Sequence, residues 1–174
     1  MKTHFFRNTS IILLSFLATQ IASAGNWEYE IKQDKMSSKD TKIASITSEN
    51  SLDLPFPYQG HNKGFLYIRQ KQGASIEVFV AIMKGQIPCP GYINGCSIAV
   101  RFDNDKPIKF NAANPSDHST NAFFINNEGR FLNGAKKATR ILIQFTTYGA
   151  GDQILEFSPN SPLIWDTQKN KKSK

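Results

Sequence analysis

The chain has 174 residues, of which 40% are hydrophobic, and a formal net charge of +7 at pH 7. The positive charge is concentrated at the two ends, and between Gly25 and Trp165 there are 15 basic and 13 acidic residues. This central part has no cluster of lysines and arginines of the kind that neutralises phosphates, which argues against nucleic-acid binding.

Residues 1–24 have the pattern of a secretory signal peptide. Lys2 and Arg7 are followed by an apolar run over 11–18, and Ala22-Ser23-Ala24 supplies small residues for cleavage. The run is too short to span a bilayer, so we expect a mature protein from Gly25 with no integral membrane segment. The predicted location is the periplasm of a Gram-negative bacterium or the medium, with one domain over 25–165 and a basic, disordered tail over 166–174.

The mature chain is dominated by period-two alternation of apolar and polar residues, which predicts roughly eight short strands. Gln72-Gly73, Asn104-Asp105 and residues 148–151 predict the turns of three hairpins. One short helix is predicted around Phe131, Leu132, Ala135 and Ala138, which share one helical face. The candidate strands are 27–32, 42–47, 64–71, 75–83, 97–103, 108–110, 122–125, 140–145 and 153–157. The predicted fold is mainly β, an antiparallel β-sandwich or open barrel with one short helix.

Cys89 and Cys96 are the only cysteines, and they bracket a segment rich in turn-forming residues. In an oxidising compartment, a single pair this close in sequence is expected to form a local disulfide. Two thiols without a neighbouring histidine make only half of a zinc site, so we predict no metal and no cofactor.

The segment Pro55–Gly60 contains two prolines, which favour an extended conformation displaying Phe56 and Tyr58 as candidate binding residues. The alternative is that Phe56 fills the core where a strand enters the sheet. Arg69 and Arg101 lie within apolar strands. Each is expected to face solvent, to pair with a carboxylate such as Asp103, or to belong to a recognition surface.

The cluster Ser116-Asp117-His118-Ser119-Thr120 contains the residue types of a nucleophile, a general base and an orienting carboxylate. Members of a catalytic triad normally converge from separate segments. This cluster follows Asn114-Pro115, so a loop with local side-chain hydrogen bonds is the first interpretation. A loop in which Asp117 and His118 contact a ligand is the second, and a hydrolase using His118 is the third.

Scattered residues of the mature chain resemble small periplasmic bacterial proteins. The nearest are accessory proteins encoded beside type VI secretion systems, with related uncharacterised exported or prophage-borne proteins. The resemblance implies a β-rich, non-enzymatic partner of envelope machinery and transfers no catalytic residue. It is carried by Trp27, Asp34-Lys35-Met36, Leu66-Tyr67-Ile68-Arg69, Cys96, Val100-Arg101-Phe102-Asp103, Phe131-Leu132 and Phe157.

Together, these observations favour a periplasmic binding protein without catalytic function, an accessory or inhibitor-like partner of an envelope or secreted protein. The alternative is a periplasmic hydrolase using His118.

Overall fold

The computed structural model describes residues 25–89 and 96–166. The predicted signal peptide, the loop 90–95 between the cysteines, and residues 167–174 of the predicted tail lie outside the described residues. Within them, no helix is long and apolar enough to cross a membrane. The elements are β1 (Glu28–Gln33), β2 (Asp40–Thr47), β3 (Gly64–Lys71), β4 (Ile76–Ile82), β5 (Cys96–Phe102), β6 (Ile108–Ala113), β7 (Ala122–Ile125), α1 (Glu128–Ala135), β8 (Ile141–Thr147) and β9 (Gly151–Phe157).

All nine strands of the described residues belong to one antiparallel sheet, in the order β1-β2-β3-β4-β7-β6-β5-β8-β9. The sheet is not closed, because β1 and β9 form its two edges. The prediction of a mainly β, antiparallel fold with one short helix is confirmed, and the single open sheet corresponds to the open-barrel form of that prediction.

Alternation along each strand separates an inner face from an outer face. In β3, Leu66 and Ile68 are buried while Phe65 and Tyr67 are half-buried on the other side, and β4 and β8 follow the same rule. The inner side chains form one continuous core. β1 is the exception. All six of its residues are exposed, although Trp27, which the sequence placed in this strand, is buried just before it.

The predicted helix is present as α1 and covers the inner face near β5 and β6. Asn127 caps its N-terminus by accepting a hydrogen bond from the Arg130 backbone N–H at 3.4 Å. Phe131 packs edge-on against Phe102 at 5.5 Å between ring centroids. Gly134 lies against the same Phe102 ring, where a β-carbon would overlap it. The missing side chain therefore lets the helix approach the sheet closely.

The two ends of the sheet meet where β9 passes over the start of β3. A β-carbon on Gly64 would overlap the Leu155 side chain, so glycine is required for this close approach. The β2–β3 loop binds the edge of β9 at the same place. Glu49 N–H donates to Glu156 C=O at 2.7 Å, and the Asn50 side chain donates to Ile154 C=O at 2.7 Å. The sheet thus covers its own inner face without closing.

The narrowest part of the sheet is β7, which pairs with β4 only through Ala122, Phe123 and Phe124. Its pairing with β6 involves only Phe124 and Ile125. By contrast, β3 pairs with both of its neighbours along almost its whole length.

Asp103 follows β5 directly and binds the backbone of the segment that connects α1 to β8. Its Oδ1 accepts hydrogen bonds from Thr139 N–H at 2.8 Å, from the Thr139 hydroxyl at 2.9 Å and from Arg140 N–H at 2.9 Å. Partial burial raises the pKa of this carboxyl, but the hydrogen bonds from Thr139 and Arg140 outweigh it and leave the pKa below its usual value. Asp103 therefore has a structural role, as the carboxylate that caps this connection.

A lowered pKa of Asp103 in the folded state means that its contribution is fully present above the pKa of the unfolded chain. That contribution is lost as the pH falls through the lower folded-state pKa. We expect the free energy of unfolding, measured by urea denaturation between pH 6 and about pH 2, to fall less steeply in Asp103→Asn than in the natural protein. At neutral pH the variant should be less stable.

Asp117→Asn is the matched control, because Asp117 also has a lowered pKa but accepts its hydrogen bonds within its own loop, chiefly from Ser119. At neutral pH we expect this control to lose less stability than Asp103→Asn. Equal losses in the two variants would contradict a long-range role for Asp103.

Candidate functional site

Four connections between strands that follow one another along the chain lie at the same end of the sheet, because adjacent strands run in opposite directions. We call them together the loop edge; they are the β2–β3 loop (48–63), the β4–β5 loop (83–95, described to 89), the β6–β7 loop (114–121) and the β8–β9 turn (148–150). Backbone hydrogen bonds join them. Tyr148 N–H donates to Gln86 C=O at 2.9 Å, and Ile87 N–H donates to Thr120 C=O at 2.7 Å.

Asn62 links the two longest of these connections. Its side chain is completely buried, and its Oδ1 accepts from Lys84 N–H while its Nδ2 donates to Lys84 C=O, each at 3.0 Å. Its own backbone N–H donates to the Ser51 hydroxyl at 2.8 Å, and its C=O accepts from Leu52 N–H at 2.8 Å. The Asn62 side-chain amide therefore joins the β2–β3 loop to the β4–β5 loop through the same kind of paired N–H and C=O hydrogen bonds that join two β-strands.

Phe56 is exposed at the tip of the β2–β3 loop, with 82% of its surface accessible. Leu52 and Leu54 enter the core instead, and Tyr58 is half-buried against it. The interpretation that Phe56 fills the core is therefore wrong. The tip is braced by a hydrogen bond from Tyr58 N–H to Pro55 C=O at 2.9 Å.

Tyr148 is a second exposed aromatic residue of the loop edge, with 69% of its surface accessible. Pro55 Cγ lies 3.6 Å from the position that a β-carbon on Gly149 would occupy, so the tip carrying Phe56 lies beside the turn carrying Tyr148. We call Phe56 and Tyr148 the aromatic pair. In the sequence, Tyr148 stands in a predicted turn, and nothing in the alternation of that hairpin marks its side chain as functional.

Met83 adds a third exposed apolar side chain to the loop edge, with 48% of its surface accessible. It follows β4, and its N–H donates to Lys63 C=O at 3.0 Å. The neighbouring Lys84 ammonium donates to Gln59 C=O at 3.1 Å, which ties the β4–β5 loop to the loop that carries Phe56.

The cluster around His118 forms a locally hydrogen-bonded loop. Asp117 Oδ1 accepts from Ser119 N–H at 3.0 Å and from the Ser119 hydroxyl at 2.7 Å, and these bonds lower the pKa of Asp117. His118 is exposed, with φ of 60°. In a serine-hydrolase triad the hydroxyl donates to the histidine and the carboxylate orients that histidine. Here the Ser119 hydroxyl donates to the carboxylate itself. The bond from Ser119 N–H to the same oxygen is that of an Asx turn.

Over residues 25–89 and 96–166, no three His, Cys, Asp or Glu side chains come together to hold a metal ion. His61 is exposed in the β2–β3 loop.

Arg69 lies on the outer face and belongs to a cluster of side chains there. Its Nε donates to Glu77 at 2.7 Å, and its guanidinium lies 5.0 Å from the centroid of the Phe79 ring. Tyr67 and Phe79 stack at 4.8 Å with 17° between their planes. They are opposite each other on adjacent strands, so each ring turns a face to the other. Arg69 therefore stabilises this cluster, because its guanidinium binds the Glu77 carboxylate and lies over the Phe79 ring.

Arg101 lies over a shallow groove along the outer face of β5 and β8. One part of this groove, of about 360 Å³, is lined by residues including Ala99, Lys109, Gln144 and Asp152, and Arg101 lines the adjoining part of about 160 Å³. Arg101 Nη2 approaches Asn104 Oδ1 at 3.5 Å, while its Nε is buried with no acceptor among the described residues. The expected pairing with Asp103 is not made, because that carboxylate binds Thr139 and Arg140.

The residues proposed from the sequence thus fall into two groups. Phe56, Tyr58, Asp117 and His118 all lie on the loop edge, whereas Arg69 and Arg101 project from the outer face of separate strands. Cys89 and Cys96 are joined as the disulfide that was predicted, at the start of β5 and therefore next to the loop edge.

The structure makes Asn62 the residue on which the arrangement of the loop edge depends. Replacing it with leucine leaves the buried N–H and C=O groups of Lys84 unpaired, and we expect the free energy of unfolding to fall by about 2–4 kcal/mol. Chemical denaturation measures this change. Asn133→Leu, the same substitution at an exposed position of α1, should leave the stability nearly unchanged. Equal losses in the two variants would contradict the assignment.

Comparison of the chain with protein-family models, with curated proteins and with solved structures found no match.

Proposed function

We propose that the mature chain is an exported binding protein without catalytic function, which engages a protein of the bacterial envelope or a secreted protein through the loop edge. The observation that carries this proposal is the aromatic pair: Phe56 and Tyr148 are both exposed, on neighbouring connections of a hydrogen-bonded layer.

An exposed aromatic residue is a strong binding anchor when its backbone is already ordered. Aromatic side chains bring a large apolar surface at the cost of few rotatable bonds, and a rigid loop loses little conformational freedom on binding. Phe56 meets both conditions, because the Asn62 side chain and the hydrogen bond from Lys84 to Gln59 hold its loop in place. Met83 adds an exposed apolar side chain to the loop edge, and the loop of Asp117 and His118 adds polar groups there.

The proposed location rests on the signal pattern of residues 1–24 and on the disulfide. A disulfide persists in oxidising compartments such as the periplasm and is rare in the cytosol. Cys89–Cys96 closes the β4–β5 loop, the same connection that accepts hydrogen bonds from Asn62 and Tyr148. Export to an oxidising compartment therefore preserves a disulfide that closes part of the loop edge, the surface that we assign to binding.

A role as an accessory or inhibitor-like partner follows from the shape of this surface. Phe56 and Tyr148 are both largely exposed, so they are suited to enter a recess of another protein. The hydrogen bond from the Ser119 hydroxyl to Asp117 supports a non-catalytic role for the His118 loop.

We expect immobilised mature protein to capture a stoichiometric partner from a periplasmic extract, and Phe56→Ala to weaken that interaction about thirtyfold, the effect of removing a hot spot of about 2 kcal/mol. Tyr148→Ala should act in the same direction. Biolayer interferometry with the purified partner gives the dissociation constants.

Met36→Ala is the matched control, because Met36 is 95% exposed but lies in the β1–β2 turn at the opposite edge of the sheet. It should bind the partner as the natural protein does. The proposal is wrong if the Phe56→Ala and Tyr148→Ala variants both retain full affinity. Turnover of a cell-wall substrate that is lost in His118→Ala would also overturn it, in favour of a hydrolase.

A further inference from the structure

The groove along the outer face of β5 and β8 has one small side chain at its centre. Ala99 lies between Lys109 of β6 and Gln144 of β8, which are its partners on the two adjacent strands. Side chains at directly opposite positions project from the same face of a sheet, so the two larger residues leave a depression over Ala99. Both parts of the groove meet there, because Ala99 lines each of them.

The two parts differ in polarity. In the smaller part, of about 160 Å³, Arg101 and Gln144 are the polar residues and the others are apolar, namely Ala99, Pro107, Leu142 and Ile154. The larger part, of about 360 Å³, is lined by polar side chains that include Ser97, Lys109, Gln144, Thr146 and Asp152. A ligand that fills the whole groove must therefore be apolar beside Arg101 and polar farther along the strands.

Arg101 brings a positive charge to the apolar part. Its Nε is buried and has no acceptor within the described ranges. Its Nη2 approaches only Asn104 Oδ1, at 3.5 Å, which is the limit of a hydrogen bond. Because Nε is covered, the terminal Nη groups are the part of the guanidinium that is left for a ligand. A partly buried cation without a partner is costly, so an anion that reaches it is bound favourably.

The two carboxylates nearest to Arg101 along the chain and across the sheet already have other partners. Asp103 accepts from the backbone N–H of Arg140 at 2.9 Å, and Glu156 pairs with the Arg140 guanidinium at 2.5 Å. In the part of the chain that the structure describes, Arg101 itself forms no ion pair. The protein therefore leaves this charge to be neutralised from outside.

The larger part of the groove has the same excess of positive charge. Its one carboxylate, Asp152, accepts hydrogen bonds from the Gln144 amide at 3.1 Å and from the Thr146 hydroxyl at 2.7 Å. Lys109 is exposed and, like Arg101, has no ion pair among the described side chains. The charge of the groove is therefore complementary to an anionic ligand.

We propose that this groove binds the C-terminal end of a peptide whose last residue is apolar. The terminal carboxylate binds the Nη groups of Arg101, and the last side chain lies against Leu142 and Ile154. The preceding peptide units extend into the larger part, where Lys109 and Gln144 supply hydrogen-bonding groups. Charged hydrogen bonds of this kind are stronger than neutral ones, and capture of a terminal carboxylate is an established mode of peptide recognition.

The polarity of the larger part favours a peptide over a free fatty acid. An acyl chain long enough to leave the apolar part would lie against polar side chains and remove them from water without a hydrogen-bonding partner, which is unfavourable. A peptide offers an N–H and a C=O at each residue, so it can fill this part and keep those side chains hydrogen-bonded.

The proposed peptide site is separate from the loop edge. The β4–β5 loop enters β5 at Cys96, whereas Arg101 is near the other end of this strand, which finishes at Phe102. The inference is therefore independent of the proposed function. Phe56→Ala should bind the peptide as the natural protein does, whether or not it captures an envelope partner.

The test is calorimetric titration of the mature protein in low salt with the peptide acetyl-Gly-Ala-Leu, as the free acid and as the C-terminal amide. We expect the free acid to bind about thirtyfold more tightly, because only the acid carries a charge for Arg101. Added salt should weaken the binding of the acid more than that of the amide. Hexanoate, a free acid without peptide units, should bind more weakly than the acid peptide.

Arg101→Gln should reduce the affinity for the acid to that for the amide and leave the affinity for the amide unchanged. Arg130→Gln is the matched control, because Arg130 is an exposed arginine of α1, on the other side of the sheet. It should bind both peptides as the natural protein does. Ala99→Leu keeps the charge but fills the part of the groove where the two halves meet, so it should weaken the binding of both peptides.

Urea denaturation separates a ligand-binding role of Arg101 from a structural one. Arg101→Gln should keep a free energy of unfolding close to that of the natural protein, since it removes a buried donor that has no acceptor. A large loss of stability would overturn the assignment of Arg101 to a ligand. Equal affinity of the natural protein for acid and amide, no binding at about 1 mM peptide, or equal losses in Arg101→Gln and Arg130→Gln would overturn the site. Hexanoate binding as tightly as the acid peptide would overturn the peptide as its occupant.

Discussion

The approach of Leu155 to the backbone of Gly64 holds the two ends of the sheet together. A single open sheet of nine strands has a large apolar inner face, and burial of that face is the main source of stability. Here β9 lies close to the start of β3, where a β-carbon at position 64 would overlap the buried Leu155 side chain. Hydrogen bonds from Glu49 and Asn50 to β9 then hold the crossing in place.

This crossing also determines where the loop edge can form. The loop that begins with Glu49 and Asn50 is the one that later carries Phe56, and it is fastened at both ends, first to β9 and then through Asn62 to the β4–β5 loop. Between these two points Leu52 and Leu54 enter the core. The exposed tip is thus short and anchored on both sides, which explains how a phenylalanine can project into solvent from an ordered backbone.

Features that depend on local chemistry could be predicted from the sequence. Gly73 has φ of 81° in the predicted turn of the β3–β4 hairpin, and Cys89 and Cys96 were close enough in sequence to imply their disulfide. The strand order could not be predicted, because β7 returns to pair with β4 through contacts remote in sequence. The site was only partly predictable. Alternation after Leu52 and Leu54 would have buried Phe56, and nothing local showed that Tyr148 lies beside it.

The narrowness of β7 has a consequence for how the molecule fluctuates. Strands that pair along their whole length usually open together as one cooperative unit, and short pairings open first. Here the short pairing lies in the middle of the sheet and separates β1–β4 from β5, β6, β8 and β9. Amide exchange should therefore be faster in β7 than in β3, while the hydrogen bonds from the β2–β3 loop to β9 still hold the two halves of the sheet together.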